Sequence, residues 1–326
     1  MNVLITVDTE EDNQWQSNVS TTSNLEYLPR FQEFCEKFNL KPTYLCTYGV
    51  VESEFFRSIL AKWQSLGKAE IGAHLHSWST PPFDPAFDNS TKGKPYPSEI
   101  PILLFEKKLK SLTDLIHDKT GIKPRSYRAG RWGFISEHIA VLEKLGYSVD
   151  SSVTPFMSWK SHKGLNSYGP DFITAPFKPY RPDYQNVCRA GNSKILEIPV
   201  TILAASRFLR DNEKLRLWYL NKRGLIRKLG ELFKLKPRWL RPVPWTSAGG
   251  LIQILKIAEK AGLPCVNFML HSSELLAGGS PYNPDERSIE NLYLKFDRLF
   301  TYMILKKKWK GLSMSEIPIA DGPGSL

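Results

Sequence analysis

Six histidines occur among the 326 residues, and two of them, His74 and His76, stand two positions apart in EIGAHLHSW (70–78). In extended chain, side chains i and i+2 leave on one face, so the two imidazoles can converge on one point while Leu75 turns to a core. Two neutral imidazoles at one point are metal ligands, although a histidine of this kind also serves as a satisfied core residue. At the amino terminus, MNVLITVDTEED runs from a β-branched apolar segment into Asp8, Glu10, Glu11 and Asp12. If the strand ends near Val7, Asp8 and Glu10 share a face. Carboxylates crowded there repel one another unless a cation or a shared proton lies between them; the other reading is an acidic loop that caps the next helix.

These groups need elements to hold them, and the pattern supplies strand-like and helix-like pieces in alternation. NVLITV precedes NLEYLPRFQEFCEKF, TYLCTYG precedes ESEFFRSILAKWQSLG, and AEIGAHLH leads through a long loop to EIPILLFEKKLKSLTDLIHDKTG. RSYRAG, SEHIAVLEKLGY, SVDSS and KILEIPV follow, with an irregular stretch from Thr154 to about Ser193, and then GGLIQILKIAEKAG, PCVNFMLH and ERSIENLYLKFDRLFTYMILKKK. Strands that are buried without alternating polarity argue for a parallel sheet, as a barrel or a doubly wound sheet. Asp8, Glu10, His74, His76, Arg128, Trp132, Asp150 and His271 all sit where strands hand over to loops. That is the carboxyl-terminal face, where parallel barrels build their sites.

Composition narrows the class. With 41% hydrophobic and 12% aromatic residues the chain is globular. Cys35, Cys46, Cys188 and Cys265 show no CxxC spacing, which argues against a zinc knuckle or a disulfide framework and for a reducing compartment. The first strand begins too near the start for a signal peptide, and no run of about 18 apolar residues occurs. A cytoplasmic location is expected, and the Asn-x-Ser/Thr triplets at Asn18 and Asn89 read as chance.

The ordered set TVDTEED, EIGAHLHSW, SYRAGRWG, GYSVDSSVTP and FMLHSSEL, spanning residues 6–275, resembles the polysaccharide deacetylase family with the NodB homology domain, in the branch with HLH as its second motif. The resemblance implies a distorted, seven-stranded parallel (β/α) barrel and metal-dependent removal of an N- or O-acetyl group from a sugar, a hydrolase of non-peptide carbon–nitrogen bonds. It makes Asp8 the general base, His74 a metal ligand, Arg128 the partner that orients Asp8, and His271 the general acid. Thr9 replaces the family's second aspartate and Trp78 its second histidine, so Glu10 and His76, on the same faces by the period of two, are assigned as the other ligands. A Glu/His/His set with open positions suits zinc, with cobalt, nickel or iron able to use the same atoms. Trp78, Trp132 and Asp150 are the expected substrate-binding residues, the tryptophans as platforms for a sugar ring.

Residues 207–241 hold twelve Lys or Arg against three acids, a local +9 out of a formal +11, interleaved with Leu215, Trp218, Tyr219, Leu225 and Phe233. This reads as a basic amphipathic helical insertion, about 205–246, in one domain spanning 1–326. It reads as a helix pair solvated beside the barrel, as a peripheral contact with anionic lipid on the inner membrane face, or as a contact with an anionic glycan or nucleic acid, the last disfavoured because no nucleic-acid motif accompanies it. The expected function is deacylation of a precursor or lipid-linked glycan in surface-polysaccharide assembly. The alternatives are an inactive glycan-binding module on the same fold, or an adaptor acting through the basic segment.

Overall fold

The computed structural model describes residues 1–12, 20–88, 93–222, 224, 230 and 235–318. Asn18 and Asn89 lie outside them, as do residues 223, 225–229 and 231–234 of the basic stretch.

The parallel sheet curls as far as a half-barrel with helices outside it. Its strands are β1 (Asn2–Thr9), β2 (Thr43–Cys46), β3 (Glu70–Leu75), β4 (Ser126–Ala129), β5 (Val149–Asp150) and β6 (Leu196–Glu197), in that spatial order. A short hairpin-like pair, β7 (Ile202–Leu203) and β8 (Arg238–Trp239), forms its own antiparallel ribbon. The strand β9 (Cys265–His271) takes the other edge of β1, with Asp8 opposite His271, and β10 (Lys310–Gly311) pairs the start of β1. The helices α1 (Leu28–Glu36), α2 (Tyr48–Glu52), α3 (Ala61–Ser65), α4 (Ile102–Thr120), α5 (Ser136–Leu145), α8 (Ala248–Lys260) and α9 (Glu286–Phe300) follow the strands, with α6 (Arg207–Asp211) and α7 (Glu213–Leu220) between β7 and β8. The expected parallel (β/α) barrel-like fold is the one observed.

The period of two sorts each strand into an outer and an inner set. Val3, Ile5 and Val7 of β1 pack outward under the helices in the main core. Leu4 faces in with Leu45, Val149, Leu196, Ile198 and Cys265, closed below by Met314 and Ile317. Gly72 makes this apolar layer possible, because a Cβ there would lie 2.7 Å from Leu45 Cδ2 and 2.8 Å from the Ser126 carbonyl. Above the apolar plug comes a polar layer of Thr6, Arg128, Ser151 and Asn267, and above that the acids and histidines.

Asn267 bridges the gap between β9 and the chain beyond β6. Its backbone N–H donates to Thr201 Oγ1 (2.8 Å), its side-chain amide donates to Ser151 Oγ (2.9 Å), and its carbonyl accepts from Thr6 Oγ1 (2.9 Å). Burial without these partners would leave two hydroxyls and a backbone group to be desolvated unmatched. Asn267→Ala is therefore expected to lower unfolding free energy by about 2–3 kcal/mol, read by denaturant titration. Unchanged stability would show that the polar layer does not hold the barrel together.

Candidate metal centre and active site

The top layer forms from four strand ends. Glu10, His74 and His76 offer ligand atoms that all lie within 4.8 Å of one another, and all three residues are buried. Glu10 Oε2 is 3.1 Å from His76 Nε2 and 3.8 Å from His74 Nε2. The His74 Nδ1 lies 3.0 Å from the Arg128 carbonyl, which can only accept, so Nδ1 carries the proton and Nε2 presents its lone pair to Glu10. Burial lowers the His74 pKa to about 4 against the raising effect of Asp8, so the ring is neutral at ordinary pH. Glu10 is held below its usual range: burial opposes ionisation, but His76, His271 and His74 outweigh it. One carboxylate and two neutral imidazoles on a buried point fit a divalent ion.

Asp8 lies beside this cluster and is tied to Arg128. The guanidinium is fully buried; its Nη1 pairs with Asp8 Oδ1, Nε donates to the Ser151 carbonyl (2.8 Å), and Nη2 donates to Thr6 Oγ1 (3.0 Å) and Ser151 Oγ (2.8 Å). Burial alone would raise the Asp8 pKa; Arg128, His74 and His271 overcome it and set it at about 2. His271, 24% exposed at its side chain, brings Nε2 to 3.7 Å from Asp8 Oδ2 and 3.9 Å from Glu10 Oε1. Its Nδ1 sits 2.9 Å from Glu274 Oε1, and Arg241 pairs with the same Glu274 oxygen. Burial and Arg241 press the His271 pKa down, yet Glu274, Glu10 and Asp8 together raise it above the ordinary value. Glu274 itself falls to about 2, because Arg241 and His271 outweigh its burial.

A cavity of about 340 Å³ opens over these groups. Asp8, Glu10, His74, His76 and His271 line its floor; Tyr96, Arg131, Trp132, Trp159, Arg241 and Tyr282 line its walls. Arg131 and Trp132 both take left-handed backbone (φ 53° and 62°), a conformation that costs non-glycine residues of order 1–2 kcal/mol each. Their neighbours sustain it: Arg131 donates to the Lys163 carbonyl (2.8 Å), and its guanidinium lies 4.0 Å over the Tyr96 ring.

Two expected substrate residues stand elsewhere. Asp150 is fully buried, is not among the residues lining the cavity, and accepts from Ser152 Oγ (2.6 Å). It forms a coupled pair with buried Glu197, whose pKa is raised well above normal, chiefly by burial and by Asp150. Two carboxyls buried beside each other disfavour double ionisation, and the Asp150 pKa is raised as well, chiefly by burial. Trp78 is not a cavity residue either. Its ring stacks on His76 (centroids 4.3 Å apart) and so backs a candidate ligand. Trp132 does face the cavity. Glu274 and Arg241 were passed over in the sequence, although the pair His271/Glu274 has the i, i+3 spacing that a signal could have used. The basic stretch does not present all its charge to solvent. Arg210 donates to the Ala204 carbonyl (2.9 Å), Arg216 to the Ala175 carbonyl (3.1 Å), and Arg241 reaches the site.

No family model matches the chain, and no curated protein matches it. Solved structures do. A protein from Parabacteroides distasonis, provisionally named a glycoside hydrolase/deacetylase, aligns with 96% of this chain and 69% of its own at 12% identity and a TM-score of 0.61. The 4-alpha-glucanotransferase of Thermococcus litoralis aligns with 97% of this chain at 13% identity and a TM-score of 0.55, and this chain spans 40% of it. A provisionally named polysaccharide deacetylase from Mycobacterium smegmatis aligns over 98% of this chain and 94% of its own at 13% identity and a TM-score of 0.48. The first two likenesses establish a shared fold, the one the sequence motifs imply.

Gly130 links the strand to the wall. A Cβ there would lie 2.4 Å from His76 Cδ2 and 2.5 Å from the Leu75 carbonyl. Gly130→Ala is expected to cost about 2 kcal/mol of stability, as overpacking does, and to lower metal content by displacing His76. Thermal unfolding and metal analysis of the purified variant would check both, and an unperturbed metal content would mean that His76 is not held by this approach.

Proposed function

We propose that the protein is a metal-dependent hydrolase that removes an acyl group, N- or O-linked, from a sugar. The observation that carries this reading is the placement of Glu10, His74 and His76 as one buried ligand set, with Asp8 and His271 beside it and His271 Nε2 3.7 Å from Asp8 Oδ2. Glu10, His74 and His76 would hold the ion, zinc or another divalent metal of the same ligand preference. Bound there, it supplies Lewis acidity to the acyl carbonyl and lowers the pKa of water.

The remaining work falls to the chain's own groups. Arg128 occupies one oxygen of Asp8 and leaves Oδ2 toward the cavity, so the carboxylate accepts the proton of the attacking water from a fixed position. Water oxygen bonds to the acyl carbon, the carbon–nitrogen or carbon–oxygen bond breaks, and the leaving atom takes a proton from His271 Nε2. Glu274 steadies the opposite ring nitrogen, so the imidazole stays cationic until it is needed. Trp132 and Trp159 give the sugar ring apolar faces on which to rest. Residues 205–246 are taken as an insertion within one barrel domain that spans 1–326, and it places Arg241 against His271.

Asp8→Asn is expected to reduce acyl release by at least about a hundredfold while keeping bound metal, because the amide has nearly the carboxylate's shape but cannot take a proton. Glu10→Gln should lose metal first, since a charged oxygen ligand becomes neutral. Metal content and turnover of the two variants, measured side by side, test the assignment; metal lost from Asp8→Asn and kept in Glu10→Gln would reverse it.

The pH profile follows from the same groups. Activity rises from acid as His74 gives up its proton near pH 4 and becomes free to ligate. It falls on the alkaline side when His271 loses its own, above the ordinary histidine value. Glu274→Gln removes the carboxylate that favours the cation, so the alkaline limb should move down by about one pH unit with metal content unchanged. A limb that stays in place would separate His271 from the acid role.

A further inference from the structure

A second hollow, of about 820 Å³, opens beside the active-site cavity and shares Trp159, Arg241 and Tyr282 with it. The three shared residues make it a continuation of the site rather than a separate depression. Its lining combines flat aromatic faces with cations. Trp239 and Trp159 meet edge-on at 6.3 Å, and Trp245, 75% exposed, meets Tyr282 edge-on at 5.6 Å. The aromatic rings of Trp159, Trp239, Trp245 and Tyr282, grouped on one hollow, form the kind of contiguous apolar surface that marks a binding site.

The cations come from the strand that follows the basic stretch. Arg238 on β8 and Lys236 are exposed and line the hollow, while no aspartate or glutamate does so among the described residues. Arg241 is neutralised by Glu274 at the shared edge, and its Nε has no hydrogen-bond partner among the described residues. Arg238, by contrast, has no carboxylate partner among the described residues, so its charge faces whatever enters. At the same wall, α8 begins with Ser247 capping Gly250 N–H (3.1 Å), and Gly250 itself lines the hollow. An exposed guanidinium, an ammonium and a helix amino terminus around one aromatic trough are complementary to a phosphate joined to an extended apolar or aromatic group.

We propose that this trough binds a phosphate or diphosphate attached to the acylated sugar, so that the substrate is an anionic, phosphate-linked sugar conjugate rather than a neutral glycan. The inference rests on the deacylase reading for the identity of the sugar end. The anion itself is tested without turnover.

Calorimetric binding of inorganic pyrophosphate, uridine diphosphate and a short prenyl diphosphate to the metal-loaded protein addresses it directly. Millimolar or tighter binding is expected for all three, weakened by about tenfold in Arg238→Ala and in Lys236→Ala, each of which removes one charge-assisted hydrogen bond, with metal content unchanged. Binding should also fall with added salt. Preference for the uridine compound marks a nucleotide-linked substrate and preference for the prenyl compound a lipid-linked one. Absence of binding at 10 mM, about the weak limit for such contacts, or equal binding by wild type and both variants, would overturn the proposal. Trough binding without acyl release from any acylated sugar would instead count against the deacylase reading alone, and acyl release without trough binding would sink only the anion site.

Discussion

The buried guanidinium of Arg128 is the constraint on which the site depends. An arginine with no solvent exposure must find acceptors for its planar fork inside the protein, because an uncompensated charge in the interior costs several kcal/mol. Those acceptors come from two strand ends, Thr6 and Asp8 on β1 and Ser151 just past β5, with Arg128 itself on β4 and its own carbonyl holding His74 of β3. Arg128 therefore ties together the upper ends of four strands of the sheet, β1, β3, β4 and β5. It also fixes the rotamer of Asp8 and the tautomer of His74.

This explains why much of the site was legible in the sequence. The convergence of Asp8, His74 and Arg128 follows from residue type and the period of two, since a parallel sheet brings strand ends together whatever the loops do. His271 is legible for the same reason, being paired in register with Asp8. The walls were not legible, because Tyr96, Trp159 and Tyr282 reach the cavity from loops whose path no periodicity encodes. Asp150 misled because a carboxylate at a strand end looks alike whether it faces the mouth or a second carboxyl; only Glu197, 47 positions along, decides it. The strands β5 and β6 are two residues each, too short for any pattern to bound.

The basic stretch shows the opposite failure. Read as a stripe of charge it resembled a surface helix, yet Arg210 and Arg216 spend their donors on backbone carbonyls and Arg241 on Glu274. Arginine does this more readily than lysine, since its fork satisfies several carbonyls at once and its weaker hydration lowers the cost of burial. A count of charges therefore overstates the field a segment presents. Among the described residues, Arg207 and Lys214 remain exposed on α6 and α7, while Arg238 and Lys236 line the hollow beside the cavity.

Two imidazoles of one cluster have their pKa values shifted in opposite directions, and the difference lies in what each ring nitrogen meets. His74 faces a carbonyl on one side and is fully desolvated, so burial wins and the ring stays neutral. His271 keeps partial exposure and three carboxylates, of which Glu274 is bonded to its Nδ1, so charge outweighs burial and its pKa is raised above the ordinary histidine value. The same strand ends also decide which carboxylate meets the candidate ligand pair. Once Asp8 is committed to Arg128, the next carboxylate on its face is Glu10, whose extra methylene reaches across to His74 and His76 without moving β1.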